Sequence, residues 1–295
     1  MSNRKSYRYR VVDVFTSIAL EGNALAVFPD SSGIDDTTMQ RIARELNLSE
    51  TVFVEEATLS GCVKSLRIFT PAREMVFAGH PTVGAGFVLF AEGLLPEGTN
   101  RFKVQEKVGP ISVRIEDLDS PMVWLDTPPI EFKSVFDAGI CARVLGLEPN
   151  DLLDVEPQLV SAGNPTLLVA VKSKEVVDRA TISTGHFSTL KVSGADYFCM
   201  FVFAPTENGA YSRMFAPEYG IIEDPATGSS TGPLGAFMKR HQLLPHSGIG
   251  RFVSEQGTKM GRRSLLHFEI AEKDREDRIS VGGHVTPLVE AVMTL

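Results

Sequence analysis

Cysteine is scarce in this sequence, and long apolar runs are absent. The 295 residues include three cysteines, Cys62, Cys141 and Cys199, which lie far apart and are odd in number. Such usage suits a reducing compartment and does not match the ligand spacing of a metal site. No apolar run is long enough to cross a bilayer, and no apolar segment follows the basic first residues as a signal peptide requires. We therefore expect a cytoplasmic protein with no membrane contact.

Positive charge is also in deficit. The formal net charge is -8, so nucleic acid and anionic membranes are poor partners. The sequence has no Walker loop, no HExxH and no GxSxG, and the GAG at 84–86 is not a dinucleotide fingerprint. Hydrophobic residues make up 43% and charged residues 22%, which is typical of a folded protein with an ample core. The length suits two domains of about 130–150 residues each.

Strand-like segments predominate over helices. The apolar residues between 37 and 46 recur at helical spacing, and Thr37 and Gln40 have the spacing of a capping box. A second helix, apolar all round, is predicted from Pro81 to about Phe90, with the proline in the first helical position. Further helices are predicted near 134–146 and at the end of 214–244. Strands are predicted at 9–15, 21–28, 49–57, 197–205 and in several later segments. This pattern indicates an α+β fold.

An internal repeat divides the chain. RIFTP at 67–71 is matched by RMFAP at 213–217, and each is followed within about ten residues by a turn of small residues and a helix. The turns read AGHPT and DPATGSS. We therefore predict two domains of the same design with the duplicated turns at their interface, a place that ligand sites favour.

The two turns have the chemistry of an anion site. A helix start exposes backbone N–H groups and carries a partial positive charge, and small residues let a ligand approach the backbone. The candidate residues are Gly79, His80 and Thr82 in the first turn, and Thr227, Gly228, Ser229 and Ser230 in the second. The plainer alternative is that both turns are capped, tightly packed helix starts with no ligand.

Three ionisable residues accompany these turns: Glu50, His80 and Asp224. Each has an ordinary alternative role, as a solvated residue, a helix-start histidine or a helix N-terminal carboxylate. Together they suit proton transfer at carbon, because a partly buried glutamate has a raised pKa and can take and return a proton. The histidine and the aspartate would hold the substrate and stabilise the developing charge.

The residues also resemble a known family, the PhzF family of phenazine-biosynthesis isomerases. The matching segments are DVFTSIALEGNALAVF, MQRIARELNLSETVFV, RIFTPAREMVFAGHPTVG and SRMFAPEYGIIEDPATGSSTGPLG, in the family's order and over nearly the whole chain. The resemblance implies a diaminopimelate-epimerase-like fold of two similar domains, each a mostly antiparallel sheet or barrel wrapped around a central helix. We place the domains at 1–128 and 129–283, with the last strand, about 284–295, as a candidate to complete the first. The site is expected in the cleft between them.

The resemblance also implies roles for single residues. The family's proton-shuttling glutamate maps onto Glu50, its GHP motif onto Gly79 and His80, and its D-x-ATGS motif onto Asp224, Gly228 and Ser229. Asn23, in the first matching segment, is a further candidate substrate contact. The implied enzyme is a dimer without cofactor or metal. In phenazine producers the reaction is the isomerisation of trans-2,3-dihydro-3-hydroxyanthranilate, so we expect a small carboxylate-bearing substrate.

Two other hypotheses remain open at this point. Related epimerases invert an α-carbon with two cysteines, one in each turn, whereas AGHP and ATGS contain none. A racemase or epimerase of an amino-acid-like substrate would therefore need a second acid that the turns do not supply. A non-catalytic carboxylate-binding protein would keep the helix starts without any proton transfer.

Overall fold

A computed structural model of the chain describes residues 4–187, 190, 198–246, 248–273 and 276–295. The chain divides into two compact units, residues 1–126 with 282–295 (unit 1) and residues 127–281 (unit 2). Tyr197, in a predicted strand, lies outside the described residues. Among the residues that are described, no helix is long and apolar enough to span a membrane.

Unit 1 contains a closed ring of strands and two helices. Its elements are β1 (Ser6–Val14), β2 (Asn23–Phe28), α1 (Asp36–Leu46), β3 (Glu50–Glu55), β4 (Lys64–Phe69), β5 (Glu74–Met75), α2 (Gly79–Ala91), β6 (Arg101–Glu106), β7 (Gly109–Glu116), β8 (Met122–Asp126) and the later part of β17 (Glu276–Thr294). Hydrogen bonds join β1 to β2, β2 to β3, β3 to β4, β4 to β6, β6 to β7 and β7 to β8. Strand β17 pairs with both β8 and β1, which closes the ring.

Unit 2 repeats the order of pairing found in unit 1. Its elements are β9 (Glu131–Val135), α3 (Ala138–Val144), β10 (Gln158–Ser161), β11 (Pro165–Ala170), α4 (Lys174–Arg179), α5 (Thr184–Phe187), β12 (Cys199–Thr206), β13 (Gly209–Ala216), β14 (Ile221–Asp224), α6 (Gly228–Arg240), β15 (Gly250–Gln256), β16 (Ser264–Lys273) and the first part of β17. The pairs β11–β12 and β13–β15 are parallel, as are β2–β3 and β4–β6 in unit 1, and the other registered pairs are antiparallel.

The repeated sequence motifs occupy equivalent strands. Arg67 lies on β4 and binds Glu74 of β5 through two nitrogens, and Arg213 lies on β13 and binds Glu223 of β14 in the same way. Each guanidinium also lies over the phenylalanine two residues later in the chain. The repeat therefore extends from sequence to topology and to individual contacts.

Helices α2 and α6, each of 13 residues, begin at the two small-residue turns. Eleven of the thirteen residues of α2 are buried, and the helix contacts strands β1, β2, β3, β4, β7 and β8. Glycines permit this close packing: a Cβ on Gly86 would lie 3.2 Å from Val113 of β7, and one on Gly235 of α6 would lie 2.9 Å from Phe268 of β16. Because of such contacts, each helix can pack only where its glycines face the strands of its unit.

Helix α1 is amphipathic and packs against strands β3 and β4 of unit 1. Met39, Ile42 and Ala43 are buried, as their spacing predicts, against a cluster that includes the stacked rings of Phe28 and Phe53. In unit 2, α3, α4 and α5 bury their apolar faces in a second cluster with strands β10 to β13. Asn47 ends α1 in the left-handed conformation with φ 50°.

Several predicted boundaries are wrong. The N-cap of α1 is Asp35, whose carboxylate accepts from Thr38 N–H, and Gln40 instead donates to the carbonyls of Thr70 and Pro71. Helix α2 begins at Gly79, so Pro81 is its third residue. The helix predicted near 134–146 is α3, preceded by the short strand β9. The apolar composition located these elements, but the contacts of the tertiary structure set their ends.

Candidate active site

Three of the predicted residues meet in the interior of unit 1. Glu50 opens β3 and Asn23 opens β2, and these strands run parallel with Leu25 opposite Glu50, so both side chains lie at the same end of the sheet. His80 is the second residue of α2. Its Nδ1 lies 3.3 Å from Glu50 Oε2 and 3.4 Å from Asn23 Nδ2. Asn23 and His80 are buried, and the Glu50 side chain is 14% exposed.

The imidazole of His80 is neutral at physiological pH. Burial lowers its pKa to about 3, because the charged form loses its hydration, even with the Glu50 carboxyl beside it. A neutral imidazole has one donor nitrogen and one acceptor nitrogen. Glu50 as a carboxylate accepts from Nδ1–H, whereas Glu50 as an acid donates to a bare Nδ1. His80 can therefore hold Glu50 in either protonation state, according to its tautomer.

The first turn of α2 has no side-chain cap. The N-cap residue is Ala78, which has no side-chain acceptor, and Gly79 follows it. Thr82, predicted as part of the anion site, is fully buried and its hydroxyl contacts Ala78 O and Glu106. The backbone at Gly79 and His80, rather than the Thr82 side chain, is therefore what this turn can offer to an anion.

A second cluster forms at the start of α6 in unit 2. Asp224 ends β14, and its Oδ2 accepts a 2.6 Å hydrogen bond from the hydroxyl of Thr227, the N-cap residue. The buried amide of Gln256 donates to Asp224 O and Thr227 Oγ1, and its Oε1 accepts from Thr227 N–H. Since the Thr227 hydroxyl binds Asp224, it does not cap the helix.

Gly228 and Ser229 are the first two residues of α6, and Ser229 is only partly buried. Ser230, predicted beside them, is fully buried, and its hydroxyl lies 2.8 Å from Thr166 Oγ1. Ser230 is therefore a packing residue and no part of an anion site. In unit 2 the structure thus brings together Asp224, Gly228 and Ser229.

The registers of the two units match Glu50 to a cysteine. Thr51 pairs with Phe69 and Met200 with Phe215, and each phenylalanine is the third residue of its repeated motif. The residues before Thr51 and Met200 are Glu50 and Cys199. By the same registers Asn23 matches Asn164. Cys199 is buried, with Sγ 3.5 Å from Ser230 Oγ and 3.4 Å from Thr166 Oγ1. Burial raises its pKa, so it is a neutral thiol where unit 1 has a carboxyl group.

Sequence reasoning missed Cys199, Glu106 and Gln256 as neighbours of the two clusters. Two further pieces of the repeat could have located them. Gly-Asn occurs at 22–23 and again at 163–164, and both glycines have positive φ. Arg-Phe opens RFKVQE at 101–106 and recurs in RFVSEQ at 251–256, which end in Glu106 and Gln256. Within the described ranges, no group of three His, Cys, Asp or Glu residues is arranged to hold a metal ion.

A family model described as phenazine biosynthesis-like protein, PhzC-PhzF, matches residues 12–291. The chain belongs to this phenazine biosynthesis-like family. A relative named trans-2,3-dihydro-3-hydroxyanthranilate isomerase, from Pseudomonas chlororaphis, is 33% identical over 287 residues and covers 94% of this chain and 96% of its own. The similarity to a named isomerase therefore extends over nearly the whole length of both chains.

Solved structures of relatives agree with the fold of this family member. The structure of a predicted epimerase from Pseudomonas aeruginosa is 32% identical, with a TM-score of 0.83 over 97% of this chain and 99% of that one. A PhzF-family phenazine biosynthesis protein from Bacillus anthracis has a TM-score of 0.87 over 99% and 100% of the two chains, at 24% identity. The fold is PhzF-like, and the family and its named relatives identify the protein as an isomerase.

Proposed function

We propose that this isomerase moves a proton between carbon atoms of a small carboxylate-bearing substrate, with Glu50 as the general acid and base. The observation that carries the proposal is the cluster of Glu50, His80 and Asn23: a largely buried carboxyl group beside a buried, neutral imidazole. A positioned group of this kind contributes about 10²–10⁴-fold to the rate of a proton transfer.

In the proposed reaction a Glu50 oxygen takes a proton from one substrate carbon and returns it to another on the same face. Negative charge develops on the substrate when the proton leaves. His80 binds Glu50 through Nδ1, so its Nε2, which is buried and has no hydrogen-bond partner among the described residues, is the nitrogen that remains for the substrate. The uncapped first turn of α2, at Gly79 and His80, offers N–H groups to the developing charge. No cofactor is assigned to any step.

The cluster in unit 2 is proposed to hold the substrate. Gly228 and Ser229 offer the N–H groups of an uncapped helix start, which suit a carboxylate. Asp224, a carboxylate whose Oδ2 accepts from Thr227, suits a substrate group that donates hydrogen bonds, such as an amine or a hydroxyl. Relatives named for trans-2,3-dihydro-3-hydroxyanthranilate support a substrate with both features. Its product would tautomerise to a ketone.

We also propose the finer structural assignments implied by the family resemblance. Unit 1 and unit 2 correspond to two diaminopimelate-epimerase-like domains, 1–128 and 129–283, in which the sheet wraps around α2 and α6 respectively. The active protein is proposed to be a homodimer without metal. Size-exclusion chromatography with light scattering tests the proposed dimer, and an active enzyme that is monomeric would contradict it.

A racemase or epimerase is the second candidate, because one structural relative is described as a predicted epimerase. Inversion requires an acid and a base on opposite faces of the carbon. The N-cap positions carry Ala78 and Thr227 rather than thiols, and the residue that matches Glu50 is the neutral thiol Cys199. Glu50 in unit 1 has no carboxyl counterpart at the equivalent position of unit 2, which supports the isomerase over the epimerase.

Proton NMR in deuterated water separates these candidates. The wild-type protein is incubated with trans-2,3-dihydro-3-hydroxyanthranilate and with a panel of amino and hydroxy acids, beside Glu50→Gln and the matched control Glu55→Gln on the same strand. The isomerase hypothesis expects a shifted double bond, with turnover reduced at least about 10²-fold in Glu50→Gln and unchanged in Glu55→Gln. Deuterium incorporation with inversion at an α-carbon would favour the epimerase. Full activity of Glu50→Gln would contradict the role of Glu50.

A further inference from the structure

A second buried carboxyl group lies under the first turn of α2. Glu106, the last residue of β6, is 4% exposed. Its Oε1 lies 2.5 Å from Thr82 Oγ1, and the N–H of Ala78, the N-cap residue, also donates to the carboxyl group. Its Oε2 is buried and has no hydrogen-bond partner in the described part of the chain. The reaction proposed above makes no use of this residue.

The two short contacts of Thr82 favour a Glu106 that carries a proton. Thr82 Oγ1 lies 2.6 Å from Ala78 O as well as 2.5 Å from Glu106 Oε1. A hydroxyl has one proton to donate. If Glu106 were a carboxylate, one of these short contacts would join two oxygens with no hydrogen between them. If Glu106 is an acid, it donates to Thr82, and Thr82 donates to Ala78 O.

The equivalent position in unit 2 carries the neutral analogue of such an acid. Lys64 pairs with Val104, and its counterpart Ala210 pairs with Ser254, so the residues two positions further on, Glu106 and Gln256, are equivalent.

Two of the contacts at this position are repeated as well. Gln256 Oε1 accepts from the N–H of the N-cap residue Thr227, as the Glu106 carboxyl group accepts from Ala78. Thr231 donates to Thr227 O, as Thr82 does to Ala78 O. The Gln256 amide accepts the N-cap N–H and donates to the N-cap hydroxyl without ever carrying charge.

We propose that Glu106 is a neutral carboxylic acid in the native protein and that it positions the start of α2, and thereby His80, as Gln256 positions the start of α6. Glu106 is a positioning residue, because it contacts the N-cap and Thr82 rather than His80 itself. The inference concerns the protonation state of Glu106, so it holds whether or not His80 acts in catalysis.

The electrostatic surroundings are consistent with a neutral acid. Burial raises the pKa of Glu106 to about 8. His80 is the ionisable residue of α2 and is itself neutral. Several charged residues of the neighbouring elements bind one another: Lys64 with Glu56, Arg67 with Glu74 and Asp36, Lys107 with Glu74, and Arg114 with Glu116. None of these cations contributes to the shift at Glu106.

Infrared spectroscopy and unfolding measurements test the proposal directly. The wild-type protein should show the carbonyl stretch of a protonated carboxyl group at about pH 6.5, and the band should disappear with an apparent pKa of about 8. Glu106→Gln should lack the band, and Glu97→Gln, an exposed control, should retain it. In the folded protein the pKa is raised, so stability is present at low pH and is lost as the pH rises toward 8. The unfolding constant of the wild type relative to Glu106→Gln should therefore rise, approaching about tenfold per pH unit in this range.

A comparison of Glu106→Gln with Glu106→Ala tests whether the hydrogen bonds of residue 106 stabilise the start of α2. At about pH 4, where Glu106 is protonated in the folded and the unfolded chain alike, Glu106→Gln should have about the wild-type unfolding constant, whereas Glu106→Ala should have one at least about tenfold larger. The His80 ring signals in NMR should move with the Glu106 titration in the wild type and stay constant in Glu106→Gln. The proposal is overturned if the wild type shows no pH-dependent acid band, if Glu106→Gln keeps that band, or if Glu106→Gln is as unstable as Glu106→Ala.

Discussion

Arg213 and Arg67 occupy equivalent positions, share two contacts and differ in a third: Arg67 Nη1 donates to Asp36 of α1, whereas Arg213 Nη1 donates to backbone carbonyls. Both bind a glutamate of the next strand through two nitrogens and lie over a phenylalanine. Arg213 Nη1 also donates to the backbone carbonyls of residues 177, 178 and 180, at 3.2, 3.3 and 2.6 Å. The guanidinium therefore joins α4 and the segment after it to the sheet of unit 2.

Replacement of these arginines should destabilise the two units to different degrees. Arg213→Ala leaves Glu223 and three carbonyls without their partner, and a buried pair broken in this way costs about 3–5 kcal/mol. Arg67→Ala removes a more exposed guanidinium and leaves Glu74 paired with Lys107, so it should cost less. Denaturant unfolding of the two variants measures the difference. Equal losses would show that the carbonyl contacts of Arg213 contribute no more than the contact of Arg67 with Asp36.

His80 should stay neutral throughout the neutral and mildly acidic range. Its folded pKa lies near 3, below the unfolded value, so its contribution to stability is present above about pH 6.5 and is lost as the pH falls toward 3. The loss is about 1.4 kcal/mol per pH unit, or about 2–3 kcal/mol at pH 4.5. His80→Gln should remove this acid-side slope from pH-dependent unfolding curves. A wild-type ring titration near pH 6.5 in NMR would contradict the buried, neutral assignment.

Asp224 should contribute to substrate binding more than to the protein's stability. Asp224→Asn keeps an oxygen for the Thr227 hydroxyl but removes the charge, and a charge-assisted hydrogen bond is worth about 1.5–3 kcal/mol. We expect kcat/KM to fall about 10–100-fold with little change in Tm. Thr227→Ser, which keeps the hydroxyl, serves as the control and should behave like the wild type. Unchanged kcat/KM in Asp224→Asn would remove Asp224 from the site.

Cys199 should be dispensable for isomerase activity. Its thiol is buried and neutral, in contact with Ser230 and Thr166, so Cys199→Ser should keep turnover within about threefold and exchange one weak hydrogen bond for another. In the native protein a thiol reagent should reach Cys62, which is partly exposed, before either buried cysteine. Loss of activity in Cys199→Ser with an unchanged Tm would instead favour a two-base epimerase.

Gly282 lies against the single tryptophan, and a larger residue should not fit there. A Cβ at Gly282 would be 2.4 Å from Trp124 Cδ2, and the indole is fully buried. Overpacking of this kind costs about 1–3 kcal/mol, so Gly282→Ala should lower Tm. Gly185→Ala, where a Cβ meets nothing within 4 Å, is the matched control and should leave Tm unchanged. Red-shifted or broadened Trp124 fluorescence in Gly282→Ala would confirm where the strain falls.

The repeat carried most of what the sequence could predict. RIFTP and RMFAP identified β4 and β13, and the turns after them identified the starts of α2 and α6, because small residues and helix starts leave a local signature. Periodicity located α1 for the same reason. Glu50 and His80 were singled out beside the turns, and Asn23 lies in a segment that matches the family. Their proximity depends on a parallel pairing of β2 and β3 that no local pattern encodes.

The remaining parts of the two clusters depend on register, which the sequence does not display. Thr82 and Ser230 were predicted as ligand contacts, but both hydroxyls turn inward to Glu106 and Thr166. Gln256 reaches Asp224 from a strand 32 positions away in the chain. Such contacts depend on which strands are neighbours in the sheet. A single sequence indicates neighbouring strands only where an internal repeat relates one half of the chain to the other.

The pairing of β1 with β17 determines when unit 1 can be completed. Ser6 and Thr294, whose side-chain oxygens lie 3.4 Å apart, are 288 positions apart in the chain. On the ribosome, β1 is made among the first strands, and its partner residues 285–294 follow all of unit 2. One edge of β1 therefore stays open through most of synthesis, and an open strand edge can pair with the wrong chain. The nascent protein is most exposed to misassembly at this edge, and slower translation lengthens that exposure.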